Sequence, residues 1–396
     1  MLTRRFGRTE LDMPVYSCGG MRYMHKWQDV SLAEVPPDNQ ANLEATIHRS
    51  LELGINHIET AHSYGSSERQ LGLVLPNLPR EKMIVQTKVE PQVDSQEFKR
   101  LFYDSLQRLQ LDYVDLLGIH GVNNHELLWH TVRRGGCLSA ARQLQAEGLV
   151  RHVGFSTHAP TDVILDAIHH EADGGFDYIN LHWYYIYQRN WAAVEAATQR
   201  DMGVFIISPA DKGGMLYKPP EKLAELCQPL HPLVFNCLFC LSRPEIHTLS
   251  LGASCPTDFD LQLTALPYLE KSDELLPPIL DRLRQAMLDA VGENFADHFT
   301  EGLPAWENAP GYMNLPIMLW LRTLVEAYDM HDYARMRYNL LGNGSHWFPG
   351  LNAAHVEKLD LSAALKNSPF KAKIPGWLSE THAKLYEAPK NRLSQS

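Results

Sequence analysis

The chain has 396 residues, with 36 Lys and Arg against 47 Asp and Glu, a formal net charge of −11. An acidic balance of this size argues against a nucleic-acid or anionic-membrane binder, whose partners need a positive field. Hydrophobic residues at 44% and charged residues at 21% describe a chain able to bury a large core rather than a disordered one.

The N-terminal stretch MLTRRFGRTELDMPV carries arginines with no apolar run of about 7–15 residues behind them, so no secretory signal is expected. No segment reaches the roughly 20 apolar residues of a membrane span. Leu315 to Leu324 is the longest tempting run, and Arg322 interrupts it. The six cysteines (Cys18, Cys137, Cys227, Cys237, Cys240 and Cys255) do not read as a disulfide framework in so long a chain. A soluble, cytoplasmic protein is the expectation.

In chain order, short aliphatic runs predict strands at Val15 to Cys18, around Ile58, and at Met83 to Val89, Tyr113 to Ile119, His152 to Phe155, Tyr178 to Leu181, Val204 to Ile207 and Thr248 to Leu251. Helix-like spacing separates them, as in Leu101, Leu106 and Leu109. Eight such alternations predict parallel βα units. No G-x-G-x-x-G follows the first run, which disfavours an open dinucleotide-binding sheet. The fold expected is therefore α/β, a (β/α)8 TIM barrel over residues 1–285, with a helical appendage over 286–396. In that appendage, Gly292 to Tyr312 reads as loop. Helices are expected at Leu315 to Ala327, His331 to Leu341 and near Ala353 to Leu365, followed by a frayed polar tail ending KNRLSQS.

Polar residues recur where the runs end: Glu59, Lys88, His120, Ser156, Asn180, Ser208 and Gly252 to Ser254. In a barrel all these ends converge on one mouth. A tyrosine, Tyr64, follows Glu59 by five residues. Free tyrosine, with a pKa near 10, is a poor acid at neutrality. A lysine ammonium beside the phenol favours phenolate and lowers that value, while a carboxylate holds the lysine charged. A histidine N–H then binds the substrate oxygen. Any one of these residues alone is readily structural; four at consecutive strand ends point to a site.

These motifs resemble those of the aldo-keto reductases. The family pattern D-T-A-x-x-Y-G-x-S-E-x-x-L-G matches Glu59 to Gly72, with Glu for the first Asp, and DYVDLLGIH, RHVGFS and SPADKGGML match further signatures. The resemblance covers about residues 3 to 275. It implies NAD(P)H bound across the mouth and hydride transfer to a carbonyl carbon. By position, Tyr64 is the general acid, Lys88 tunes it, Glu59 pairs with Lys88 and His120 orients the carbonyl. Ser156 and Asn180 would hold the nicotinamide carboxamide; Ser208, Gly252, Ala253 and Ser254 would line the rest of the cofactor. Ile207 stands where many members place a stacking Tyr, and Glu59 must retract its extra methylene. Asp258 falls where the family's arginine for the 2′-phosphate is expected, which argues toward NADH. The family habit argues toward NADPH, the cofactor expected, with NADH possible.

The C-terminal YDMHDYARMRYNLL resembles a subset of the family with a ferredoxin-like extension. Residues 256 to 396 contain no cysteine, so the tail reads as a remnant without iron–sulfur ligands. Cys237-Leu-Phe-Cys240 lies in an apolar stretch that reads as buried helix. The 19 histidines form no H-E-x-x-H, and no metal is expected. His182, Trp183, Tyr184, Tyr185 and Trp191 read equally as pocket wall or core. The expected function is reduction of an aldehyde or ketone, a small-molecule carbonyl, to an alcohol. The alternative is a cofactor-binding redox sensor or regulatory protein that uses the tail as its interaction surface. The substrate and the oligomeric state are not legible.

Overall fold

A computed structural model of the protein describes residues 1–344 and 347–387. The polar tail expected to fray lies outside these residues. Strands β1 (Thr3–Arg5) and β2 (Asp12–Pro14) form an antiparallel hairpin. Strands β3 (Tyr16–Gly19), β4 (His57–Glu59), β5 (Ile84–Val89), β6 (Val114–His120), β7 (Val150–Ser156), β8 (Tyr178–Leu181), β9 (Gly203–Ile206) and β10 (Thr248–Leu251) close into a parallel barrel. Every strand run expected from sequence is present, shifted by at most two residues. Burial on both faces makes such strands continuous aliphatic runs, which is why the pattern is readable.

The hairpin plugs one end of the barrel. Phe6 and Met13 pack against Ile84, Leu116, Tyr178 and Phe205, all nearly or fully buried. Gly203 makes room for this plug, since a Cβ there would lie 2.6 Å from the Phe6 ring. Above the plug runs a buried polar layer. Ser17 Oγ lies 2.6 Å from His57 Nδ1 and 2.7 Å from Thr248 Oγ1; His57 Nε2 lies 3.1 Å from Gln86 Oε1. Alternate residues of a strand share a face, so His57 and Gln86 lie one layer below Glu59 and Lys88.

The helices follow local chemistry. Asp94 caps Ser95–Leu109 by accepting from Gln96 N, at a value of about 1 kcal/mol. The helix buries Phe98, Phe102, Leu106 and Leu109 at three- and four-residue spacing and stops where Gln110 turns left-handed.

Among the described residues the chain divides into two compact units, residues 1–213 with 236–270, and residues 214–235 with 271–344 and 347–387. Residue 285, the boundary expected from sequence, falls inside the helix Ser272–Val291. The second unit is helical. Leu315–Tyr328 is buried almost all round, and Tyr328 donates its hydroxyl hydrogen bond to Leu283 O at 3.1 Å. Phe295, Phe370 and Trp377 form a second aromatic contact group. Three readings of this part need correction. The stretch 292–312 contains a helix, Glu293–His298; residues 353–365 hold only a short 3-10 turn at Val356–Lys358; and Ile374–Leu385 is an unanticipated helix. Among the described residues no helix is long and apolar enough to cross a membrane.

Candidate active site

The barrel register sets the site. Gly19 pairs with Glu59, Lys88 with Gly118, His120 with Ser156, and Ser156 with Asn180. Lys88, almost fully buried, contacts the Glu59 carboxylate closely, donates to Thr60 O at 2.8 Å and lies 3.4 Å from the Tyr64 hydroxyl. Gly19 explains how Glu59 fits with its extra methylene. A Cβ at Gly19 would lie 2.6 Å from Ser250 Oγ and 3.3 Å from Glu59 Oε2. Gly118 likewise clears space for the lysine stem, because a Cβ there would meet Lys88 Cγ at 3.1 Å.

The Tyr64 and His120 rings meet edge to face at 5.5 Å, and Ser63 Oγ lies 3.1 Å from His120 Nδ1. The sequence reading missed Ser63; its place next to Tyr64 was the available signal. Packing around the Tyr64 phenol pushes its pKa up, the reverse of the lowering expected from Lys88. Burial of the charged phenolate outweighs the nearby ammonium. Burial also pushes Lys88 well below the usual lysine value, and the Glu59 contact opposes that. His120 is pushed down to about 3, first by burial and then by the charges of Lys88 and Lys212.

The tyrosine segment is tied to the lysine strand from behind. Glu68, completely buried in the helix Ser67–Leu71, accepts from Thr87 Oγ1 at 2.6 Å. Burial pushes its carboxyl up to about 7.

On the neighbouring strands, Ser156 Oγ accepts from Gly121 N at 3.0 Å. Asn180 is fully buried, and neither its Nδ2 nor its Oδ1 has a partner among the described residues. An orphaned buried amide needs a hydrogen-bonding group opposite. A carboxamide, such as that of nicotinamide, fits this requirement.

Ser208 turns left-handed two residues beyond β9, and its carbonyl accepts from Lys212 N at 3.0 Å. Ile207 is partly buried against the Phe205 and Tyr178 cluster inside the barrel. Gly252 O accepts from Arg22 Nη1 at 2.9 Å, and Ala253 is buried. Asp258 is already engaged, accepting from Ser254 N at 2.8 Å and from Ser254 Oγ at 2.6 Å. Burial raises its pKa, but the Ser254 bonds, a contact from Cys255 and the Arg22 charge outweigh that and hold it below the usual value. Asp258 thus braces its own loop.

The cysteine pair and, within the aromatic run, Trp183 are packed into the core. Cys237 and Cys240 are fully buried in the helix Pro232–Leu241. Trp183 is buried, stacked on Phe239 at 4.8 Å and tilted against Trp191 at 4.9 Å.

A closed parallel barrel with tyrosine, lysine, glutamate and histidine gathered at the C-terminal ends of its strands is laid out as a barrel enzyme. The aldo/keto reductase family model matches residues 17–225. The chain is 31% identical over 256 residues to L-galactose dehydrogenase of Arabidopsis thaliana, covering 57% of this chain and 78% of that protein. It is 31% identical over 114 residues to methylglyoxal reductase DkgA of Escherichia coli, 27% of this chain and 38% of that one. The holo form of an aldo-keto reductase from Bacillus halodurans superposes with a TM-score of 0.59 over 71% of this chain and 96% of that one. At 20% identity this likeness speaks to the fold alone. The chain belongs to the aldo/keto reductase family and is an NAD(P)H-dependent oxidoreductase.

Proposed function

We propose that the protein reduces an aldehyde or ketone to an alcohol with Tyr64 as general acid, using NADPH in preference to NADH, and that it works in the cytoplasm. The observation that carries this reading is the Tyr64 hydroxyl 3.4 Å from Lys88 Nζ, with the lysine held against Glu59. When bound, the reduced nicotinamide supplies the hydride. The orphaned Asn180 amide, with Ser156 beside it, would hold its carboxamide. Tyr64, protonated at neutral pH, hydrogen-bonds the carbonyl oxygen and gives up its proton as charge develops there. Lys88 stabilises the phenolate left behind. His120 is neutral and carries a single N–H, which directs the carbonyl; Ser63 Oγ, 3.1 Å from Nδ1, bears on which ring nitrogen holds it.

The NADPH preference is supported at Gly252, where Arg22 lies across the loop and Asp258 is occupied by Ser254. A positive group there offsets the carboxylate that would otherwise repel a 2′-phosphate. The test is a fluorescence titration with each cofactor, followed by a panel of aldehydes and ketones with the tighter one. Cofactor-dependent reduction of some panel members supports the reading, and failure to bind either cofactor would overturn it.

A further inference from the structure

Glycine is disfavoured inside a strand, where it has no side chain to pack, and one found there often marks the close approach of another group. Two lie side by side in this barrel. Register pairs Lys88 with Gly118, Gly118 with Gly154, and Gly154 with Tyr178, so one row across β5, β6, β7 and β8 reads lysine, glycine, glycine, tyrosine. Tyr178 is fully buried and lies down along that row. A Cβ at Gly154 would meet Tyr178 Cδ1 and Cε1 at 2.6 Å, and one at Gly118 would meet the Tyr178 hydroxyl oxygen at 3.4 Å. The same point at Gly118 is 3.1 Å from Lys88 Cγ and 3.6 Å from Gln86 Nε2. The tyrosine side chain therefore crosses both glycines and sets its hydroxyl beside the lysine stem.

A chain of buried side chains fixes that hydroxyl. Gln86 Nε2 donates to it at 3.3 Å, and Gln86 Oε1 lies 3.1 Å from His57 Nε2. On the other side of the imidazole, Nδ1 lies 2.6 Å from Ser17 Oγ, which lies 2.7 Å from Thr248 Oγ1. The five residues, all fully buried, link β8 through β5, β4 and β3 to β10. Lys88 feels this layer: its charge is the second cause, after burial, of the lowered His57 pKa. A lysine carries its ammonium on four flexible carbons, and holding them in one arrangement costs rotamer freedom. The Glu59 carboxylate and Thr60 O hold the tip. The Tyr178 hydroxyl and the Gln86 amide stand where the stem needs a wall.

We propose that Tyr178 is a positioning residue for the reduction: laid across Gly118 and Gly154, its hydroxyl walls the Lys88 stem and keeps the ammonium on the Tyr64 hydroxyl. The proposal rests on the reductase reading above, in which Lys88 serves Tyr64, and adds a residue that acts through the lysine. Gly118 and Tyr178 are then two parts of one device, since any side chain at 118 would enter the space in which the tyrosine hydroxyl and the lysine stem meet.

The experiment is a double-mutant cycle on single-turnover oxidation of bound NADPH by an aldehyde from the panel above, with aldehyde KM, NADPH Kd and Tm measured alongside. Tyr178→Phe removes only the hydroxyl. It is expected to slow hydride transfer by about tenfold, with KM and Kd within about twofold of the unaltered protein. In Lys88→Met, itself slow, the same change should cost less than about twofold, because the side chain it acts through is gone. Gln86→Met leaves the hydroxyl in place but unfastened; it should give a smaller loss that also vanishes in Lys88→Met, and it carries the test if Tyr178→Phe does not fold. An unchanged rate in Tyr178→Phe, with Lys88→Met slow, overturns the proposal and leaves the reductase reading standing. An equal loss with and without Lys88 overturns it too, by making Tyr178 a general support of the barrel. A loss confined to the NADPH Kd does the same, by assigning its effect to Asn180, two residues along β8. Unaltered turnover in Lys88→Met, or reduction of no aldehyde in the panel, overturns the proposal together with the reading beneath it.

Discussion

Tyr64 keeps its proton because packing around the phenol disfavours the phenolate more than Lys88, 3.4 Å away, favours it. Reduction consumes the protonated phenol, so the upward shift moves the alkaline loss of activity to higher pH. His120, pushed down to about 3, stays neutral through the whole working range. The kcat/KM profile for reduction should therefore be flat from about pH 5 to 9 and fall only above the usual tyrosine range near 10. A fall with an inflection near 6.5 that His120→Gln abolishes would contradict this account. Arg22 carries a separate prediction. Arg22→Met should weaken NADPH binding by about tenfold while changing NADH binding little, as removal of one phosphate contact does. Equal losses for both cofactors would show that Arg22 does not read the 2′-phosphate. The residue types at the strand ends were legible because barrel topology brings those ends together whatever the loops do. The role of Asp258 was not legible: its partner, Ser254, lies four residues back, and only the loop's path brings the two together.

At the scale of elements, β5 and β6 hold the lysine by what they leave out. Gly118 has no Cβ where one would press on Lys88 Cγ at 3.1 Å. Gly118→Ala is expected to lower kcat by about tenfold with the cofactor Kd unchanged, since small misplacements of a reacting group are costly. An unchanged kcat would mean that the stem yields without moving the ammonium. The helix Ser67–Leu71 is joined to β5 by Glu68 on Thr87, and this link has a pH sign. The folded carboxyl is raised to about 7, above its unfolded value near 4.5. Its stabilising effect is full below about 4.5 and is lost as pH rises through 7. Glu68→Gln keeps an acceptor for Thr87 without the buried charge. Its Tm relative to the unaltered protein should therefore improve between pH 5 and 8, and a difference independent of pH would contradict the assignment. The barrel strands showed in the sequence as aliphatic runs, whereas β1 and β2, three residues each, are too short to show an alternating pattern.

Across the whole molecule, buried histidines link stability to acidity in the opposite direction. His57 and His120 are pushed down to about 3 and His247 to about 4, each chiefly by burial. Unfolded histidine binds its proton near 6.5, so this stability is complete above that pH and drains away as pH falls toward the folded values. His57, fully buried, accounts for up to about 1.4 kcal/mol per pH unit over that window. Tm should drop between pH 7 and 4, and His57→Asn should make the slope shallower; an unchanged slope would show that other groups carry it. The second unit was read less well for local reasons. Ile374–Leu385 begins with Ile-Pro-Gly, which reads as a turn, yet proline is tolerated in a first helical turn. In 353–365 the apolar spacing suggested a helix, but Asn352 and Asp360 side chains accept from the backbone two residues on and set turns instead.

The most direct test of the central claim is single-turnover oxidation of bound NADPH by a carbonyl substrate in Tyr64→Phe, with the NADPH Kd measured alongside. The arrangement of Tyr64, Lys88 and Glu59 predicts a loss of hydride transfer of at least about 10²-fold with cofactor affinity within about twofold of the unaltered protein. Turnover at the unaltered rate with phenylalanine in place would contradict Tyr64 as the proton donor.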